Sequence, residues 1–297
     1  MIHTTRRLQS FKLPDLVSRW MLSLIIAASA AAQVHASGPA APATAPQVPV
    51  LIYHEITTDG SPPGETRIAL DRFAEQMAYL ARQGYTPIDM DQLVAFMTRR
   101  ATLPERPIVL TFDDGWRNVL NAIPVLERYR FKASFWIITG KGIGGDYLDW
   151  DDIDGIQRNP LFEVQSHTVT HPWNPRDNLI TWLDGKVPGK SIATARAELL
   201  DSRQELLRRL HRSAKYLAWP CGWYTDALVQ LAQEAGYEAL LTAEAGLNTA
   251  GGDVLRIKRT FIDGQCTMAD FAMTVADGKY RVCSAQGAPS LGRLPSQ

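Results

Sequence analysis

Several things this chain lacks narrow its class before any motif is read. It has no surplus of charge: 31 Lys and Arg balance 31 Asp and Glu, for a formal net charge of +0. A nucleic-acid partner calls for a basic face, and beyond the N-terminal residues no basic run supplies one. Only three cysteines are present, Cys221, Cys266 and Cys283, too few for a disulfide framework. Cys266 and Cys283 could pair near the C-terminus, leaving Cys221 free. Long apolar runs are missing too: the stretch from Trp20 to Ala32 falls short of the about 20 residues a membrane-crossing helix needs. There is no internal repeat, and of the six histidines none follows His211.

Hydrophobic residues make up 45% of the 297 positions, ample for one substantial core. Arg6, Arg7, Lys12 and Arg19 precede the apolar stretch, and Val34-His35-Ala36 puts small residues where a signal peptidase reads. Residues 1–36 are therefore expected to be a signal peptide, with a retained signal anchor as the alternative. No cysteine lies nearby to carry a lipid. Residues 37–47, rich in Pro and Ala, read as a linker, and 284–297, rich in Gly, Pro and Ser, as a disordered tail. The expected product is an exported protein, periplasmic or extracellular, with a folded domain over 48–283 and no stable membrane span after cleavage. Its neutral charge suits an uncharged polymer better than a phosphate-rich one.

Within that domain, apolar strand-like runs alternate with helical patterns. Strands are expected at Val50–Tyr53, Thr86–Ile88, Ile108–Phe112, Ser134–Ile138, Phe162–Ser166, Tyr216–Trp219, Ala239–Thr242 and Arg256–Phe261. Phe73, Met77 and Leu80 recur at helical spacing before Gly84, and Asp89 with Gln92 forms a capping box for the helix carrying Leu93, Phe96 and Met97. Leu199, Leu206 and Leu210 make another core-facing stripe. The segment from Trp173 to Lys190 has no clean period and reads as a long rim loop. Repeated strand–helix units predict a parallel α/β architecture, with a barrel favoured over an open sheet.

Two strings carry chemistry. Thr111-Phe112-Asp113-Asp114-Gly115 follows the apolar run Ile108–Leu110, so paired carboxylates sit where a buried strand ends. Ser166-His167-Thr168-Val169-Thr170-His171-Pro172 places two imidazoles at i and i+4, able to converge on one cation if the backbone coils there. A divalent metal with three protein ligands keeps a position open for water and lowers its pKa toward neutrality. Neighbouring side chains on an extended backbone point oppositely, so one aspartate can bind the metal while the other accepts a proton. The residues leave open which does which. Gly115 permits a positive φ at the strand end. A non-haem iron oxygenase would also use two histidines and a carboxylate, but has no need of an adjacent base.

Over about Val48 to Phe261 the chain resembles the polysaccharide deacetylases, also called the NodB homology domain or carbohydrate esterase family four. Thr111–Gly115 and Ser166–Pro172 are similar to the family's first two motifs. The resemblance implies an irregular (β/α)7 barrel with the active site at the C-terminal ends of the strands. It implies that Asp113 is the catalytic base and that Asp114, His167 and His171 bind the metal: Zn2+ first, with Co, Ni or Fe possible. Tyr216–Tyr224 resembles the third motif, a strand ending in an aromatic-proline-aromatic-glycine turn, and so implies a substrate wall of Trp219, Pro220, Gly222, Trp223 and Tyr224. Two departures stand out: this stretch has no arginine to orient the base, and Cys221 stands where a bulky aromatic is usual. Arg259 is a candidate replacement for the missing cation.

The general acid follows by elimination. His3 and His35 lie in the leader, His167 and His171 are taken, and His211 ends a charged helix, which leaves His54 after the strand Val50–Tyr53. Tyr53-His54-Glu55-Ile56 resembles the opening of the deacetylases of biofilm poly-β-1,6-N-acetylglucosamine. The resulting expectation is a metal-dependent deacetylase releasing acetate from an N-acetylated polysaccharide, with poly-N-acetylglucosamine favoured. Chitin oligomers or peptidoglycan as substrate, or a carbohydrate-binding relative without turnover, are the alternatives. Oligomeric state has no signature in the sequence.

Overall fold

Runs that are apolar at every position form strands covered on both faces. In chain order the strands are Val48–Tyr53 (β1), Glu55–Thr57 (β2), Arg67–Ala69 (β3), Thr86–Pro87 (β4), Pro107–Phe112 (β5), Ala133–Ile137 (β6), Phe162–Ser166 (β7), Tyr216–Ala218 (β8), Ala239–Leu241 (β9), Leu247–Asn248 (β10) and Thr260–Phe261 (β11). The structure is a computed structural model describing residues 46–140 and 143–283, which lie in one compact unit. The expected leader, the linker up to residue 45 and the tail at 284–297 lie outside the described residues.

The helices are Leu70–Arg82 (α1), Met90–Met97 (α2), Ile123–Tyr129 (α3), Trp150–Arg158 (α4), Leu179–Leu183 (α5), Ile192–Leu210 (α6), Asp226–Glu234 (α7) and Met268–Asp277 (α8). The capping box of α2 is present, Asp89 accepting from the Gln92 N–H at 2.8 Å while Gln92 accepts from the Asp89 N–H at 3.2 Å. Helix α5 lies within the segment expected as loop. Asn178 caps it through the N–H groups of Ile180 and Thr181, and its own Leu179 and Trp182 are buried. Five residues are too few for a helical period to register.

Strands β1, β5, β6, β7, β8 and β9 pair in that order, all parallel. The sheet curls until its ends meet: Ile257 bridges Leu241 of β9, while Thr260 and Phe261 pair with Leu51 and Ile52 of β1. The segment from Ile257 to Phe261 is thus the seventh stave of the expected irregular barrel. It is not the continuous strand predicted over Arg256–Phe261. Val254–Arg256 forms a 3-10 turn capped by Asp253, and Lys258 donates its N–H to the Asn248 side chain rather than to a ladder.

Strand alternation divides the core in two. Val50, Val109, Trp136, Tyr216, Ala218, Leu241 and Ile257 point into the barrel and pack with Met90, Leu93 and Met97 of α2. Leu51, Leu110, Phe135, Val164 and Leu217 point outward to the helices. On β7 the inward positions are polar instead: Glu163, Gln165 and then His167 just past its end. The Met90 N–H donates to Glu163 at 2.9 Å, which sets α2 across the floor, opposite the ends carrying the motifs.

Candidate active site

Asp113 continues the inward series of β5 after Val109 and Thr111, which carries its carboxylate into the barrel mouth. It is 3% exposed, and its N–H donates to the Tyr53 carbonyl at 2.9 Å. Arg259, 1% exposed, reaches it from the closing stave, donating from Nη1 to Asp113 Oδ1 at 2.7 Å and from Nε to the Thr242 carbonyl at 2.9 Å. The cation missing from the third motif is therefore present in space. Burial alone would raise the Asp113 pKa. The Arg259 guanidinium, with His167 and His54, outweighs it and holds the carboxyl below its ordinary value.

A regular strand would turn Asp114 away from the mouth. Its backbone is instead left-handed (φ 70), followed by Gly115 at φ 79, and the carboxylate comes back toward the histidines. Asp114 Oδ1 lies 3.4 Å from His167 Nε2 and 3.5 Å from His171 Nε2. Burial opposes its charge, but His167 and the other nearby imidazoles depress its pKa well below the carboxylate range. His167 Nδ1 pairs with the Ala218 carbonyl at 2.8 Å, which assigns the proton to Nδ1 and directs the Nε2 lone pair at Asp114. His171 gets there through two more left-handed residues, Thr168 (φ 66) and His171 itself (φ 49), with Thr168 Oγ1 accepting from the His171 N–H. Burial pushes the His171 imidazole down to about 4, helped by its neighbour His167. His167 is also lowered by burial, yet Asp113 and Asp114 beside it raise it overall.

Asp114, His167 and His171 thus offer ligand atoms within 4.8 Å of one another. The buried Asp114 Oδ1 has no hydrogen-bond partner. A carboxylate oxygen without a partner, beside two imidazole nitrogens, could hold a divalent cation. His54 stands half-buried just past the end of β1, its ring parallel to Phe261 with centroids 5.5 Å apart.

The expected aromatic wall needs correction. Trp219 is fully buried, and it cannot stack on a ligand. It lies on the Leu217 side of β8, turned toward the helical layer, and supports Tyr224 from beneath with ring centroids 6.3 Å apart. Pro220 is buried as well. Gly222, Trp223 and Tyr224 are half-buried at the rim. A side chain at Gly222 (φ 74) would press into the Ala243 backbone at 2.7 Å, so glycine is required there. Cys221 is free and exposed at the same turn; burial of its surroundings and the Asp114 charge push its thiol up to about 11. Cys266 and Cys283 are disulfide-bonded.

Across the mouth, beyond β5, an open cleft of about 560 Å³ is lined by Glu55, Asp59, Arg67, Trp116, Asn118 and Asp146, among others. Glu198 of α6 is a functional contact the sequence reading missed. Its carboxylate accepts from the N–H groups of Val169 and Thr170 at 3.0 and 2.9 Å and so holds the histidine loop. The signal was legible: Glu198 and Ser202 interrupt the apolar stripe of Ala195, Leu199 and Leu206. A buried carboxylate in such a stripe has to meet donors from elsewhere.

A family model of polysaccharide deacetylases matches residues 100–240. A Bacillus subtilis protein assigned to the polysaccharide deacetylases is 26% identical over 202 residues, 67% of this chain and 66% of that protein. The poly-beta-1,6-N-acetyl-D-glucosamine N-deacetylase of Escherichia coli K12 is 22% identical over 256 residues. That match takes in 76% of this chain but only 38% of the relative's length. Among solved structures, a Streptococcus pyogenes deacetylase in complex with acetate superposes with a TM-score of 0.67 at 23% identity, over 78% of this chain and 99% of its own.

Proposed function

The chain carries a polysaccharide deacetylase domain, of a family of hydrolases acting on carbon–nitrogen bonds, and from that premise we propose that it is an exported, metal-dependent N-deacetylase of an N-acetylglucosamine polysaccharide. The observation that carries this reading is Asp114 Oδ1, buried without a partner between two imidazole Nε2 atoms, with Asp113 held ionised alongside. Asp114, His167 and His171 would hold the divalent ion. Two imidazoles and a carboxylate suit Zn2+, and Co, Ni or Fe can use the same ligands. When bound, the ion supplies Lewis acidity, lowering the pKa of a water molecule and favouring negative charge on the acetamide oxygen.

The protein's own groups do the rest. Asp113 Oδ1 is taken by Arg259, so Oδ2, which faces the histidines 3.8 Å from His167 Nε2, accepts the proton of the attacking water. Water oxygen bonds to the acetamide carbon, and the carbon–nitrogen bond then breaks. His54 donates a proton to the departing nitrogen, giving a free amine on the sugar and acetate. Gly222, Trp223 and Tyr224 form the rim on one side, where an aromatic face can meet a sugar ring. The cleft beyond β5 leaves room for the polymer on the other.

Poly-N-acetylglucosamine is the favoured substrate, supported by the name of the Escherichia coli relative. The leader expected at 1–36 supports action outside the cytoplasm, and no helix among the described residues is long and apolar enough to cross a membrane. The test is acetate release by metal-loaded protein lacking residues 1–36, with a chelated control. Chelator-sensitive release from poly-N-acetylglucosamine supports the reading. Release only from chitin oligomers or peptidoglycan keeps the chemistry and changes the substrate. Metal binding without release from any of them overturns the enzymatic reading.

A further inference from the structure

Asp114 has two carboxylate oxygens, and they meet different fates. Oδ1 is the orphan facing the histidines, whereas Oδ2 accepts from the indole N–H of Trp116 at 3.1 Å. An indole N–H is a donor only, so it competes for the oxygen without competing for a cation. Trp116 is itself held. Its ring lies against Tyr147, with centroids 4.5 Å apart and planes at 21°, and the two residues form a backbone bridge. On either side of that bridge the Arg117 N–H donates to the Asp146 carbonyl at 2.8 Å, and the Leu148 N–H to the Gly115 carbonyl at 2.9 Å. The turn carrying Asp114 is thereby laced to the segment entering α4.

From this geometry we infer that Trp116, clamped by Tyr147, is a positioning residue for the metal ligand: it occupies Oδ2 so that Asp114 presents Oδ1 alone. The inference rests on the reading of Asp114 as a ligand. A carboxylate on a left-handed residue at the end of a strand has one free side-chain rotation about its terminal bond. Without the indole, both oxygens could turn toward the cation, or the group could turn to solvent through its partly exposed edge. Fixing the carboxylate plane before the cation arrives removes that rotational freedom from the cost of binding. Gly115 and the left-handed backbone aim the side chain at the histidines, but neither selects between its oxygens.

The test uses full-length protein freed of metal and titrated with zinc against a chromophoric chelator at one pH. Cobalt loading reports on the ligand environment, and melting of the metal-free protein reports on the fold. Trp116→Phe keeps an aromatic ring against Tyr147 and removes the N–H together with part of the indole. It is expected to bind zinc about 10–100-fold more weakly, to change the visible cobalt band, and to leave the metal-free melting temperature in place. Tyr147→Phe is expected to bind as the parent does. Tyr147→Ala, which keeps the N–H but releases the ring, is expected to fall between the two, and it carries the test if Trp116→Phe does not fold. Parent-like affinity and cobalt band in Trp116→Phe, or in Tyr147→Ala where that variant stands in, overturn the proposal. Asp114→Asn separates the two levels: if it binds zinc as the parent does, the ligand reading itself has failed. If it loses zinc while Trp116→Phe does not, only the role of Trp116 has failed.

Discussion

Glu163 near the barrel floor and Asp113 at its mouth are carboxylates on inward positions of the same sheet, and their pKa values move in opposite directions. Both are penalised by burial. Glu163 receives only neutral donors, the Ser134 hydroxyl, the Met90 N–H and the Gln165 amide, and its pKa stays raised. Asp113 receives a guanidinium, and its pKa falls. Left-handed backbone occurs at both ends. At the mouth Asp114, Thr168, His171 and Cys221 are all left-handed, a conformation costing about 1–2 kcal/mol for a residue with a side chain. Toward the floor Arg106, Arg130 and His211 are left-handed too, in the turns ahead of the strands, and Gln157 Nε2 and Ser213 Oγ lack a hydrogen-bond partner. A cavity of about 40 Å³ there, lined by Gln157, Glu163 and Ser213 among others, is large enough for water but not for a sugar. One barrel thus holds, at its base, a carboxylate met only by neutral donors and, at its mouth, an unpartnered carboxylate oxygen beside two imidazoles.

Substitutions at the two ends should separate these roles. The largest effect is expected from Asp113→Asn, which removes the base but can keep one acceptor for Arg259. Acetate release should fall about 10²–10⁴-fold while metal still binds. Parent-like turnover would end the assignment. Arg259→Leu strands a buried carboxylate and should cost about 3–5 kcal/mol in denaturant unfolding. A depressed carboxylate pKa contributes stability above the ordinary Asp value and loses it as pH falls through the depressed one. The Arg259→Leu penalty should therefore be full at neutral pH and shrink in acid.

The floor has the opposite sign. The raised pKa of Glu163 contributes stability below the ordinary Glu value, and that contribution is lost as pH rises through the raised one. Glu163→Gln does not titrate, so its stability relative to the parent should improve from acid to neutral pH, with little change in turnover. Melting curves at several pH values read the slope, and a difference flat in pH would remove the contrast. The smallest effect on the stability of the metal-free protein is expected at Asp114→Gly. Relief of the left-handed backbone and loss of an unpaired buried oxygen, set against the lost bond from the Trp116 indole, should leave the metal-free protein within about 1 kcal/mol of the parent while abolishing metal binding. Destabilisation well beyond that in denaturant unfolding would mean that the left-handed backbone stores little strain.

Much of this was legible in the sequence because it is local. The apolar runs of β1, β5 and β7 and the capping box of α2 depend on neighbours a few residues away. Asp113, Asp114, His167 and His171 could be picked out because each follows the end of such a run. Helix α5 was missed for lack of length, and the Arg256–Phe261 strand because its apolar residues close a barrel instead of extending a ladder. Trp219 was misplaced for a more general reason. In a strand buried on both faces, alternation separates the two sets of side chains without saying which set faces the barrel.

The sequence by itself determined the chemistry: which residue types stand at strand ends, the parallel α/β alternation, and the pairing of a carboxylate couple with a histidine couple. Tertiary structure alone decided the partners. Arg259 meets Asp113 across 146 residues because the closing stave returns to β1. Glu198 holds the histidine loop because α6 packs beneath β7, and Trp116 takes one oxygen of Asp114 because Tyr147 pins its ring. Local residue pattern follows from backbone periodicity, whereas contacts between distant segments exist only once the sheet has curled and closed.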